Sequence, residues 1–189
     1  MKAMKSATKT FENRGKMILV GISVVTSNAA EGNQETAKIG KVIGTFFGGN
    51  MSESIEGYKN AGTAYGVYTK YGKNKANGDY TYFIGKEVER EECETTELEK
   101  KSGLECLEIP KQTYAKFTTK SGAMPDICVN TWQEIWATND EDLLEGYEAA
   151  IDAGQKKPRE RAFIADFDVY DERMADPKNS TMDIFIGIA

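Results

Sequence analysis

Two stretches of this 189-residue chain follow the same pattern. Val67-Tyr68 leads through a polar turn to Phe83-Ile84-Gly85, and Val169-Tyr170 leads through another to Phe185-Ile186-Gly187, each residue 102 positions beyond its counterpart. A hairpin written twice constrains the fold more than any bulk property, because a duplicated unit must pack against its own copy. The repeat extends outward from the hairpins. "KMILVGISVVTS" (16–27) is rich in β-branched residues and reads as a strand, and "KQTYAKFTTKSG" (111–122) alternates in the same role. A helical pattern follows each: Ile39, Val42, Ile43, Phe46 and Phe47 in the first, and Val129, Trp132, Ile135 and Trp136 after Pro125-Asp126 in the second.

Both halves therefore read strand, helix, strand, strand. The offset grows from about 90 at the helices to 102 at the hairpins, which places an insertion in the second half. "DEDLLEGYEAAIDAG" (140–154) fills it, with Leu143, Leu144, Tyr147, Ala150 and Ile151 on one helical face and Gly154 as C-cap. "EREECETTELEKKSG" (89–103) is acidic and poor in apolar residues, and reads as the linker. Two copies are too few for a solenoid. The expected fold is α+β: one domain over 1–189 of tandem βαββ repeats, about 16–88 and 104–189, related by a pseudo-twofold axis. Antiparallel sheets would be backed by helices, with a ligand cleft between the halves.

Composition narrows the function classes. Apolar residues make up 40% of the chain, enough for a sizeable core, and no apolar run reaches the roughly 18 residues of a membrane helix. No signal-peptide pattern follows the basic start, so a cytoplasmic protein with no membrane partner is expected. The net charge is −6 and no basic stripe is visible, which argues against direct nucleic-acid binding. The basic cluster "KKPRER" (156–161) reads as a solvated loop. Three widely spaced cysteines, Cys93, Cys106 and Cys128, do not suggest a disulfide framework, and Cys128 reads as a buried thiol. There is no histidine, so His-based triads and His-containing metal sites are excluded. The glycine turns "FFGGN" and "EGNQ" lack phosphate-loop spacing. Neither metal nor cofactor is expected.

The order of motifs has a family likeness. "RAFIADFDVYDERMADPKNSTMDIFIGI" resembles the closing segment of the GyrI-like, or AraC-type effector-binding, superfamily. "AYGVYTKY" with "GDYTYFIGKEV" is similar to its first hairpin, "LEIPKQTYAKFTTKSG" to its Pro, then Tyr-Ala-x-Phe strand, and "WQEIW" to its second helix. The resemblance spans about residues 11 to 189. It implies a tandem βαββ fold with a cleft for small aromatic or cationic molecules. Some members are sensing halves of transcription regulators, some stand-alone members hydrolyse cyclopropane-containing toxins, and one is similar to a gyrase-binding inhibitor. Asp168 stands where the family usually has Glu.

Strand alternation sorts the side chains. In 162–170, Phe163, Ala165, Phe167 and Val169 point to one face, and Ile164, Asp166, Asp168 and Tyr170 to the other. The repeat maps Tyr68 onto Tyr170, and Trp132 and Trp136 lie one helical turn apart. The candidate ligand-binding residues are Tyr68, Trp132, Trp136, Asp168, Tyr170, Glu87 and Phe185, forming an aromatic cage with an acid at its base. Asp166 reads as structural, and Asp183 as a weaker cleft candidate. If the chain is an enzyme, Asp168 would activate water and Tyr68 would orient it. Three classes stay open: a small-molecule effector-binding module linked to transcription regulation, a hydrolase of cyclopropanoid or other reactive electrophiles, and a gyrase-inhibitor-like interaction protein with an unknown protein partner.

Overall fold

The structure is a computed structural model that describes residues 5–49, 51–147 and 157–189. Among them, eight strands form one antiparallel sheet: β1 (Ala7–Arg14), β2 (Met17–Ser27), β3 (Ala64–Thr69), β4 (Asp79–Glu87), β5 (Glu105–Ile109), β6 (Gln112–Thr119), β7 (Ala165–Tyr170) and β8 (Asp183–Ile188). The helices are α1 (Asn28–Glu31), α2 (Ile39–Gly48), α3 (Glu97–Lys101), α4 (Asp126–Trp136) and α5 (Asp140–Leu144). The sheet order, β1-β6-β8-β7-β3-β4-β2-β5, reads the same from both ends once halves are exchanged. The two repeated Val-Tyr strands, β3 and β7, pair at its centre. Their register sets Gly66 opposite Asp168 and Tyr68 opposite Asp166, so the axis of the 102-residue offset runs through the Gly66–Asp168 pair.

The hairpins themselves differ. Val67 faces Phe83 in the first, whereas Phe185 faces Phe167 and Asp183 faces Val169 in the second. The Phe-Ile-Gly copies are thus registered two residues apart. A slip of two equals the strand period, so every side chain keeps its face.

β1 and β5 are not expected from the patterning, and they change how the sheet closes. Ala7 pairs with Thr119 and Met17 with Ile109 in one continuous register. β1–β2 and β5–β6 therefore behave as two long strands paired throughout, bent at Gly15-Lys16 and Pro110-Lys111. Two-residue links tie the edges of the sheet together, and the sheet must curl. One face then packs on itself without any helix among the described residues: Leu19, Tyr65, Val67, Phe83, Tyr114, Phe167 and Phe185 form its core, with the Phe167 and Phe185 rings stacked at 4.5 Å. Gly21 and Gly85 face each other there, and a Cβ on either would strike the opposing backbone.

α2 and α4 cover the other face. Phe46 of α2 and Trp132 and Ile135 of α4 are buried in one cluster with Tyr68, Tyr82, Ile84 and Ile184. Burying one such side chain is worth about 1.5–3 kcal/mol. Phe47, Val129 and Trp136 stay largely exposed, so each helical apolar stripe is narrower than its sequence pattern.

Segment 89–103 is more ordered than an acidic linker implies. A capping box between Thr96 and Glu99 starts α3, and the fully buried Glu99 carboxylate holds Arg90 at 2.6 Å. Cys93 and Cys106 form a disulfide, which corrects the expectation that the cysteines build no disulfide; Cys128 is free. The pairing was not visible in spacing because the partners meet only through the return of β5 against β2. In the 140–154 segment, α5 starts at Asp140 under an Asn139 cap and ends at Leu144; Ala150, Ile151 and Gly154 lie outside the described residues.

Candidate functional site

Asp168 lies at the centre of the helix-covered face and is fully buried. Trp132 Nε1 donates to its Oδ1 at 2.9 Å, Tyr68 Oη donates to Oδ2 at 3.1 Å, and the Cys128 thiol points to Oδ2 at 4.0 Å. Each donor has a local cause. Tyr68 sits two residues beyond Gly66 on β3 and so shares its face, while Cys128 and Trp132 are one turn apart on α4. Burial pushes the Asp168 carboxyl up to about 7; the bonds from Trp132 and Tyr68 pull against this, and Asp166 adds to it. Among the described residues, no cation takes part in that balance. Burial, and next the Asp168 charge, raise the Tyr68 phenol well above its ordinary value, so it stays a donor.

Aromatic rings enclose the acid. Tyr68 lies 4.6 Å from Trp132, 5.1 Å from Tyr82 and 5.6 Å from Tyr80, centroid to centroid. Tyr82 and Tyr170 share a hydrogen bond at 3.4 Å, and Tyr170 also meets Phe47 of α2 at 6.4 Å. Beside them is a small cavity of about 10 Å³ lined by Asn28, Tyr68, Tyr71, Tyr80, Trp132, Trp136 and Arg161. That volume admits about one water. A wider concavity, about 1630 Å³, lies away from the acid between α5 and residues 157–160. Its rim, with Glu141, Glu145, Lys157 and Arg159, mixes both signs of charge and offers no comparable ring of aromatics around a buried acid.

Asp166, two residues from Asp168 on the same face, is satisfied differently. Arg161 Nη2 binds it at 2.7 Å, Tyr71 Oη at 2.5 Å and the Gly187 amide at 2.8 Å. Arg161 is only 8% exposed, which corrects the reading of 156–161 as a solvated loop at that residue; Lys157, Arg159 and Glu160 are exposed, and Lys156 lies outside the described residues.

Of the residues expected to meet, the structure brings together Tyr68, Trp132, Asp168 and Tyr170, with Trp136 at the rim, 44% exposed and 5.9 Å from Trp132. Glu87 and Phe185 are not among them. Both lie on the curled face, because Phe83 and Phe185 pair across from Val67 and Phe167, whose side chains point away from Asp168. Glu87 binds Lys59 at 2.6 Å, and the Arg14 guanidinium covers Phe185 at 4.8 Å. Asp183 shares that face and is held by Thr118, Lys116 and Arg173. Tyr71, Tyr80, Tyr82 and Arg161 were missed. The alternation of Tyr80 and Tyr82 in "GDYTYF" carried a signal for two of them; Arg161 carried none. Among the described residues, no group of acidic, cysteine or histidine side chains is arranged to hold a metal ion.

The same architecture occurs in solved structures. The Vibrio cholerae integron cassette protein VCH_CASS2 superposes with a TM-score of 0.65 at 20% identity, over 98% of this chain and 97% of that one. SAV2435, solved bound to tetraphenylphosphonium, gives 0.64 at 14% identity, over 96% and 94%. In sequence, the Bacillus subtilis (strain 168) protein named "Putative transcriptional regulator protein YobU" is 26% identical over 168 residues, 89% of each chain. The two solved structures share the GyrI-like effector-binding fold with this chain. Residues 10–188 match the family described as Cass2, integron-associated effector binding protein, and the chain belongs to that family.

Proposed function

We propose that this protein binds a lipophilic aromatic cation between its two βαββ halves, about 16–88 and 104–189, which act as a single effector-binding domain. The observation that carries this reading is Asp168: a fully buried carboxylate held, among the described residues, only by neutral donors and ringed by aromatic side chains. An unpaired buried acid near half-ionisation gains a partner when a cation enters. Each well-placed ring face adds about 0.5–2 kcal/mol. The tetraphenylphosphonium held by the similarly folded SAV2435 supports the same ligand class.

The closed cavity, about 10 Å³, is far smaller than the roughly 300–1,000 Å³ of a drug-sized site. Entry therefore requires its lining to move, and Trp132 and Trp136 of α4 are two of the side chains that would have to shift. A ligand-dependent rearrangement around the acid suits an effector sensor linked to transcription, as the name of the Bacillus subtilis relative suggests. With a net charge of −6, such a role is exercised through a partner rather than by this chain gripping DNA.

Calorimetric titration with tetraphenylphosphonium and with neutral triphenylphosphine oxide tests the reading. Saturable binding of the cation, at least tenfold tighter than the neutral analogue, is expected; equal affinity would overturn it. A second reading, hydrolysis, rests on the Asp168–Tyr68 pair, because a carboxyl near 7 can accept a proton from water. It predicts product formation from an activated cyclopropane, lost in Asp168→Asn.

A further inference from the structure

We propose that Arg161 sets the number of charges the site accepts, making it a receptor for singly charged cations. This rests on the cation-binding reading above. The site contains two buried acids, Asp166 and Asp168, alternating on one strand face and so about 7 Å apart along β7. Without Arg161 neither acid would have a cationic partner among the described residues. Arg161 binds Asp166 at 2.7 Å, and among the described residues no cation reaches Asp168, so with both acids ionised the site carries a net charge of −1.

Arg161 is placed where a ligand would feel it. Its guanidinium carbon lies 5.8 Å from the Trp132 ring, 5.9 Å from Tyr71 and 4.6 Å from Phe163. It lines the same small cavity as Tyr68, Trp132 and Trp136. Its Nη2 holds Asp166 and reaches Tyr71 Oη at 3.4 Å, while its Nε is buried without a hydrogen-bond partner among the described residues. The backbone also adopts a disfavoured conformation beside it. Phe163 has φ +53, in the left-handed region that a Cβ resists, and its ring packs edge-on against Tyr71 at 5.4 Å. The Arg161 amide donates to Asp140 Oδ1 at 3.1 Å, and Ala162 donates to the Gly187 carbonyl at 2.7 Å. The segment is therefore anchored on both sides, fixing the guanidinium next to one acid and away from the other.

The consequence is charge-counting. A monocation neutralises Asp168 and leaves the site balanced. A dication of the same aromatic chemistry brings one positive charge too many, beside an arginine that already holds the second acid. Selectivity then follows net site charge and not the shape of residue 161, and this separates the proposal from a steric role.

The test uses the full chain and calorimetry at pH 8, with tetraphenylphosphonium as monocation and p-xylylene-bis(triphenylphosphonium) as dication. Wild type should prefer the monocation. Arg161→Met removes the positive charge beside Asp166 and should move the affinity ratio toward the dication by tenfold or more; an unchanged ratio counts against the proposal. Asp166→Asn brings the charge to zero and should move the ratio the opposite way, weakening both ligands. The double variant, Arg161→Met with Asp166→Asn, restores −1 and should return the ratio to within about threefold of wild type. If Arg161→Met does not fold, because it strands Asp166, the Asp166→Asn and double variants still decide. An unchanged ratio in Asp166→Asn, or a double variant that departs from wild type by tenfold, overturns the proposal. Wild type that binds neither probe overturns the underlying cation-binding reading as well.

Discussion

Gly66 and Asp168 face each other across the central strand pair and occupy equivalent positions in the two halves, 102 residues apart. The symmetry axis thus has room for one side chain, and the second half supplies it. A Cβ on Gly66 would strike the Tyr82 hydroxyl and come within 3.0 Å of Tyr170 Cε2, both rings on the Asp168 face. The glycine is the space into which the cage of the acid is packed.

Gly66→Ala should therefore destabilise the protein, although alanine suits a strand at least as well as glycine. Overpacking a buried site costs about 1–3 kcal/mol. Urea denaturation should show that loss, together with weaker cation binding as Tyr82 and Tyr170 are forced apart. An unchanged midpoint would mean that the Tyr82–Tyr170 contact is not tightly packed.

Asp168→Asn should stabilise the protein, and only on the alkaline side. The folded carboxyl sits at about 7 and an unfolded one at about 3.9. Below pH 4 both states hold the proton, and the acid costs nothing. Between those values the unfolded chain releases its proton and the folded one does not, so wild-type stability falls as pH rises and levels off above pH 7. Asparagine does not titrate. The stability gap between variant and wild type should grow from pH 4 to pH 8 by up to about 4 kcal/mol. Denaturant melts at the two pH values read this directly, and a constant gap would mean that Asp168 is solvated.

Much of this site was legible in sequence because two periodicities agree. Strand alternation puts Asp166, Asp168 and Tyr170 on one face, and the hairpin repeat carries Tyr68 to the same place. Helical spacing then separates Trp132, which is buried, from Trp136 only by how deep α4 lies, and depth is not periodic. Glu87 and Phe185 failed for a different reason. Their face is fixed by which residue they oppose, and pairing Phe185 with Phe167 requires the register, which sequence does not print. Arg161 was illegible because its partner, Asp166, is buried by the sheet and not by its own segment. β1 and β5 escaped because each completes the edge of the opposite half.

The Cys93–Cys106 disulfide gives a count that chemistry can check. It closes a loop of 13-residue separation between segment 89–103 and β5. In denaturant without reductant, one thiol per chain, Cys128, should react with a thiol reagent; with reductant, three should. Under native conditions Cys128 should react slowly, since burial and then the Asp168 charge raise its thiol well above the ordinary value. Cys93→Ser should cost about 3 kcal/mol, the value for a loop of about 15 residues. Three reactive thiols without reductant would show that the pair is reduced.

Cation affinity should depend on pH through Asp168, and Tyr68 should set where. A permanent cation such as tetraphenylphosphonium binds the ionised carboxylate and expels its proton. With the carboxyl at about 7, affinity should be near its plateau at pH 8, about half that at pH 7, and about tenfold weaker at pH 6. The ligand does not titrate, so the profile belongs to the protein. The Tyr68 hydroxyl donates to the charged form of Asp168 at 3.1 Å and holds the carboxyl lower than burial alone would. Tyr68→Phe keeps the ring and removes that bond, so the midpoint of the profile should move to higher pH while the alkaline plateau changes less. Asp168→Asn should flatten the profile and lower the plateau at least tenfold. A wild-type profile that is already flat from pH 5.5 to 8.5 would take the carboxylate out of the binding step. A midpoint that stays in place in Tyr68→Phe would take the tyrosine hydroxyl out of the control of its charge.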